Sequence, residues 1–213
     1  MNIEDWSKTV TSHLSSVASI EVAIAPPYPL LDKVPSPFTR CAQDVSQFTP
    51  GAHTGEVGGQ VLHELGVKYC LVGHSERRRN FGETNDVIAQ KIERLKENGI
   101  TPILCAQDIN EIPLIITNLT DFFVMFEPWT AISTNGNYHP ETPESINDVL
   151  TTWSQKFPSA KLLYGGSVNP DFVNNLLQAT DYKLLAGFVV GHASLNPVEF
   201  SGIIDACQSF VAG

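Results

Sequence analysis

The stretch YCLVGHSERRRNFGET, residues 69–84, is apolar as far as Val72 and Gly73, then places a histidine, an acid and three arginines within six residues. A short apolar run closed by glycine is the pattern of a buried strand. Polar residues directly after a parallel strand stand at the end of the sheet where α/β proteins hold their ligands.

Other strand-like runs end in the same way. FFVMF at 122–126 is followed at once by Glu127, KLLY at 161–164 by Gly165-Gly166-Ser167, and GFVV at 187–190 by Gly191-His192-Ala193-Ser194. Seven strands are predicted in all: Glu21 to Ala25, Arg40 to Gln43, Tyr69 to Gly73, Thr101 to Cys105, Phe122 to Glu127, Lys161 to Tyr164 and Gly187 to Val190.

The segments between them have helical spacing. Ile146, Val149, Leu150, Trp153 and Phe157 line one such face, and Phe172, Val173, Leu176 and Leu177 another. Thr142-Pro143, Asn169-Pro170 and Asn196-Pro197 mark helix starts, because the first residue can cap and proline at the next position gives up no needed N–H. Gly66 and Gly99 mark helix ends, where a left-handed residue is required. Only a short helix fits between Cys105 and the strand at Phe122.

Strand and helix repeated in this way predict an α/β fold with a mainly parallel sheet and right-handed crossovers. No composition break divides the chain, so residues 1–213 are expected to form a single domain. If the strands share one sheet, an imidazole, a carboxylate and two glycine-rich turns face one mouth. Such a mouth can bind an anion on backbone N–H groups while a base and an electrophile act beside it.

Plainer roles exist for each element. A histidine after a strand can be structural, Gly165-Gly166 can be only a tight turn, and Arg77 to Arg79 suggest a solvated face with one ion pair.

The formal net charge of −10 argues against nucleic acid, whose phosphates attract Lys- and Arg-rich surfaces. No run reaches the roughly 18 apolar residues of a membrane span, and the start has no basic-then-apolar secretion pattern. Cys41, Cys70, Cys105 and Cys207 form no CxxC motif and fit reduced core thiols in a cytoplasmic protein.

These residues together resemble the triosephosphate isomerase family. YCLVGHSERRRNFGET is similar to the family's VxLGHSERRxxFGE signature, FEPWTAIST (126–134) to its YEPVWAIGT segment, and LYGGSV with GFVVGHASL to its two phosphate loops. GAHTGEV (51–57) resembles the loop through which its dimers interlock, and APPYPLL and CAQDVS suit its second and third strands. The likeness is collinear from about Ile3 to Ala212.

The resemblance implies a (β/α)8-type barrel and interconversion of dihydroxyacetone phosphate and glyceraldehyde 3-phosphate, with no cofactor and no metal. Glu127 is then the base, and His74 polarises the carbonyl oxygens as a neutral imidazole. Glu76 supports the site by charge and Ser75 by hydrogen bonding. The phosphate falls to the Gly166-Ser167 turn, to Gly191 and His192, and to a Ser133 N–H on a lid from Pro128 to Thr134. Arg77 and Glu83 brace the loop after His74. Thr54, Gly55 and Glu56 belong to the interlocking loop, which implies a homodimer.

The chain also departs from the family pattern. His192 stands where the family has glycine, which a backbone contact tolerates at negative φ and strains at positive φ. The family opens on a strand ending in Asn-x-Lys. Here Met1-Asn2 leads straight into a helix carrying Trp6, Val10, Leu14 and Val17. A barrel short of its first strand and its catalytic lysine is therefore expected, with seven strands. A non-catalytic phosphate-binding or interaction protein of the same fold is the alternative, and another phosphate-handling barrel enzyme, such as an aldolase, a more distant one.

Overall fold

The computed structural model describes residues 3–14, 20–113, 121–131, 140–179 and 184–211. Met1, Asn2, Val17 and Ser133 lie outside them. Seven strands are present among the described residues: β1 (Ala23–Ile24), β2 (Thr39–Ala42), β3 (Val67–Val72), β4 (Thr101–Ala106), β5 (Phe122–Phe126), β6 (Ala160–Tyr164) and β7 (Leu185–Phe188). They belong to one sheet whose strand order is the chain order. The helices are α1 (Ile3–Leu14), α2 (Gly59–Glu64), α3 (Ser75–Phe81), α4 (Asn85–Glu97), α5 (Pro143–Lys156), α6 (Pro170–Ala179) and α7 (Pro197–Val211). Each expected strand is found, β7 two residues earlier than expected.

The chain divides into two compact units. One comprises residues 22–125 and 157–161; the other comprises 1–21, 126–156 and 162–213.

In the first of these, β1 to β4 pair in parallel, with Ala42 opposite Cys70 and Val72 opposite Leu104. Parallel strands covered by helices on their outer side are apolar nearly throughout. β4 accordingly buries Pro102 through Ala106. Helix α4 buries Ile88, Ile92 and Leu95, one stripe at helical spacing. Its start is capped by Thr84 Oγ1, which accepts from Val87 N–H at 3.3 Å. Its end turns at Gly99, with φ +67°. Between β4 and β5 the described residues hold only a 3-10 turn, Ile109–Glu111, in keeping with the short connection.

In the other unit, β6 and β7 pair in parallel, Tyr164 opposite Phe188. Helix α1 packs on α7 and α7 on α6. Trp6 and Val10 are the buried face of α1, and Trp6 meets the Phe200 ring at 5.3 Å between centroids. The expected caps at α6 and α7 are made: Asn169 Oδ1 accepts from Phe172 N–H at 2.8 Å, and Asn196 Oδ1 from Val198 N–H at 3.0 Å. At α5, Thr142 Oγ1 accepts from Ser145 N–H at 3.2 Å.

Candidate functional site

The first unit carries His74, Ser75 and Glu76. Strand β3 ends at Val72 and is followed by Gly73, whose φ of +71° and surroundings both demand glycine. A Cβ there would lie 2.9 Å from Ile88 Cδ1 and 3.1 Å from Arg78 Nη2. His74 follows as the N-cap of α3, and its Nδ1 accepts from Glu76 N–H at 3.3 Å.

A ring nitrogen that accepts carries no proton, so a neutral imidazole in this arrangement carries its proton on Nε2. Glu76 Oε2 is 3.9 Å from the same Nδ1. The N–H contact is the closer of the two. Ser75 is buried, whereas the Glu76 side chain is 66% exposed.

The arginines correct the expectation of a solvated face. Arg77 Nε lies 2.8 Å from Asp44 Oδ2 and 2.5 Å from Glu83 Oε1. Arg78 donates to Gly73 O at 2.8 Å, Asn85 Oδ1 at 2.9 Å and Glu111 O at 2.9 Å, tying β3, α4 and the turn after β4. Only Arg79 of the three is exposed.

Lys91, from α4, completes a quartet in which Asp44, Glu83 and Lys91 are buried and Arg77 is partly exposed, with Nζ 2.6 Å from Asp44 Oδ1 and 2.5 Å from Glu83 Oε1. Burial pushes the Asp44 carboxyl above its usual range, although Lys91 and Arg77 pull it down. Tyr28 donates its hydroxyl to Asp44 O, and burial together with the Asp44 charge holds that phenol far above its ordinary value.

The other unit carries Glu127, Gly166, Ser167, Gly191 and His192. Gly165 N–H donates to Phe126 O and Val189 N–H to Tyr164 O, each at 2.9 Å. These bonds set the last residues of β5, β6 and β7 side by side. Glu127, the Gly165–Ser167 turn and the Gly191–His192 turn therefore follow the ends of neighbouring strands at one end of the sheet.

Glu127 is 3% exposed. After it, Ala131 N–H donates to Pro128 O at 2.9 Å, closing a 3-10 turn over Trp129–Ala131. Ser167 Oγ reaches back to Ala131 O at 2.7 Å. A Cβ on Gly166 would stand 2.2 Å from the Tyr164 hydroxyl, so this turn needs glycine for its close approach.

His192 opens a 3-10 helix, His192–Leu195, a conformation of negative φ that a side chain tolerates. Replacement of glycine at this point thus leaves the backbone unstrained. Ser194 N–H and Oγ both donate to Gly191 O, at 3.0 and 2.6 Å.

Trp6 Nε1 donates to Ser194 O at 2.7 Å, so α1 braces this turn. The sequence signal for this contact is only that of an apolar helix face; the indole N–H, which seeks an acceptor when buried, is the further hint.

The loop Thr54, Gly55 and Glu56 is exposed, with Gly55 at φ +91°. It is anchored by Ser46 N–H to Val57 O at 2.8 Å and by Phe48 stacked on His53 at 4.3 Å. Among the described residues no group of three His, Cys, Asp or Glu side chains is placed to hold a metal ion. No described helix is long and apolar enough to cross a membrane.

Similarity to known proteins extends over most of the chain. Residues 1–207 match the family model described as Triosephosphate isomerase. The triosephosphate isomerase of Pseudoalteromonas translucida is 34% identical over 231 residues, spanning 96% of this chain and 92% of that protein. That of Thermus thermophilus is 35% identical over 214 residues, 86% of this chain and 84% of that protein. That of Coxiella burnetii is 34% identical over 221 residues, covering 89% and 86%.

Proposed function

The chain belongs to the triosephosphate isomerase family, and from that premise we propose that it interconverts dihydroxyacetone phosphate and glyceraldehyde 3-phosphate, with Glu127 as the base. The reaction moves a proton between adjacent carbons of one substrate and leaves its oxidation level unchanged, so no cofactor is called for. The step belongs to glycolysis and gluconeogenesis.

Glu127 takes the proton from the hydroxyl-bearing carbon beside the carbonyl, an enediolate forms, and the proton returns to the neighbouring carbon. A carboxylate already stripped of water has no hydration shell to shed first. His74, as the neutral ring with its proton on Nε2, donates to the oxygen on which charge develops. Ser75 and Glu76 support that ring.

The phosphate is bound by N–H groups of the Gly166-Ser167 turn, of Gly191 and His192, and of Ser133. In this reading residues 1–213 act as one barrel domain. It works as a homodimer interlocked through Thr54, Gly55 and Glu56, in the cytoplasm, where thiols such as Cys41, Cys70, Cys105 and Cys207 stay free.

The observation that carries this reading is a 3%-exposed Glu127 leaving β5 beside the Gly165–Ser167 turn. The test is isomerisation of glyceraldehyde 3-phosphate by the chain. Glu127→Gln is expected to lower kcat by about 10²–10⁴-fold, the scale of a positioned general base. An unaffected Glu127→Gln variant would remove Glu127 from the chemistry.

A further inference from the structure

The turn after Glu127 is gripped from two sides. On one side stands Ser167, whose hydroxyl donates to Ala131 O at 2.7 Å. On the other, Thr130 Oγ1 donates to Glu141 Oε1 at 2.5 Å. Glu141 accepts from Ser145 Oγ at 3.2 Å with its second carboxylate oxygen, and its N–H donates to the Tyr164 hydroxyl at 3.4 Å. Ser145 lies in the first turn of α5 and Tyr164 is fully buried at the end of β6. One side chain and its own N–H thus join the turn beyond β5, the start of α5 and the end of β6.

We propose that Glu141 is a positioning residue for the isomerisation: by holding Thr130 it fixes the Pro128–Ala131 turn, and through that turn the carboxylate of Glu127. The inference rests on Glu127 being the base. Pro128 is bonded directly to Glu127, and the Ala131 to Pro128 hydrogen bond makes the turn move as one piece. Thr130 is itself exposed, so without Glu141 its hydroxyl turns to water and the outer side of the turn loses its anchor.

A hydroxyl given to a carboxylate is among the stronger hydrogen bonds, and small displacements of a reacting group are costly in rate. The Tyr164 phenol, raised to about 12 chiefly by burial, keeps its proton and remains a fixed neutral post for the Glu141 backbone.

The test uses the full chain with Glu141→Ala, Glu141→Gln, Thr130→Val, Thr130→Ser and the double variant Thr130→Val/Glu141→Ala. Two readouts are taken. The first is kcat and KM for glyceraldehyde 3-phosphate. The second is acrylamide quenching of Trp129, which is 72% exposed in the gripped turn, while Trp6 and Trp153 are 5% and 3% exposed and contribute little.

Glu141→Ala and Thr130→Val are each expected to lower kcat about tenfold, the scale of one hydrogen bond to a charged group, with KM nearly unchanged and quenching increased. The double variant should be no worse than the worse single one, because both remove the same bond. Thr130→Ser should behave as the parent, and Glu141→Gln should fall between.

Unchanged kcat in folded, active variants, additive losses, or unchanged Trp129 quenching would each overturn the positioning role alone. A parent chain without turnover would overturn the isomerase reading and the catalytic role of Glu141 with it; quenching would then show whether the grip on the turn is real.

Discussion

Lys91 and Glu83 meet at 2.5 Å, Nζ to Oε1, with each side chain only 5% exposed. Asp44 and Arg77 join them, so two cations and two carboxylates neutralise one another where α3, which carries Arg77, meets α4, which carries Lys91. The three buried charges of this group depend on their partners for stability.

Lys91→Met leaves Asp44 and Glu83 facing Arg77 alone. A cost of about 3–5 kcal/mol is expected, the usual result of removing one partner from a buried ionic group. Urea unfolding of the variant measures it, and adding Glu83→Gln should recover part of the loss. A midpoint equal to the parent's would mean that the quartet is not formed as described.

Gly73→Ala forces a side chain into left-handed backbone, at roughly 1–2 kcal/mol, and also drives Cβ toward Ile88 and Arg78. Gly82, at φ +67° with open space around it, isolates the backbone contribution. Gly82→Ala should lose stability but retain kcat, while Gly73→Ala should lose both because His74 must shift. Equal kcat in the two folded variants would count against a tight link between Gly73 and His74.

Trp6→Phe keeps the ring in the α1–α7 contact and deletes the indole N–H bonded to Ser194 O. Stability should fall by about 1 kcal/mol, and KM for the phosphorylated substrate should rise a few-fold as the Gly191–Ser194 turn loosens. Loss of stability with KM unchanged would limit Trp6 to a packing role.

Tyr164 has a phenol raised from 10.0 to about 12, by burial first, with the Glu141 N–H opposing and the Glu141 charge adding. Between those values the folded chain keeps a proton that the unfolded chain has released. The stabilisation is therefore present below pH 10 and lost as pH rises through 12. A difference of this size between folded and unfolded chain corresponds to an upper limit of about 3 kcal/mol. Tyr164→Phe should flatten the fall of unfolding free energy across this window; parallel curves for parent and variant would assign the alkaline loss elsewhere.

Strand positions are legible in the sequence because each is a local apolar run closed by glycine or by a polar residue. KLLY ends at Tyr164 as expected, and FFVMF ends one residue before Glu127. β7 begins two residues ahead of its expected place because Leu185 and Ala186 continue the apolar run ahead of Gly187, and hydropathy alone does not set where pairing with β6 begins. The arginines mislead for a different reason. A run of three cations looks solvated unless the acids that meet it are known, and Asp44 and Glu111 lie more than thirty residues away along the chain.

The sequence by itself determined the order of strands and helices, the Thr-Pro and Asn-Pro helix starts, the glycine turns, and which polar residues follow which strand. All of these are set by backbone preference and hydrophobic spacing within a few residues. Only the tertiary structure decided that Trp6 would hold Ser194, that Lys91 would hold Asp44, and that Glu141 would hold Thr130. A hydrogen bond or ion pair between distant residues leaves no periodicity in the chain; it exists only once folding has removed the water that would otherwise satisfy both groups.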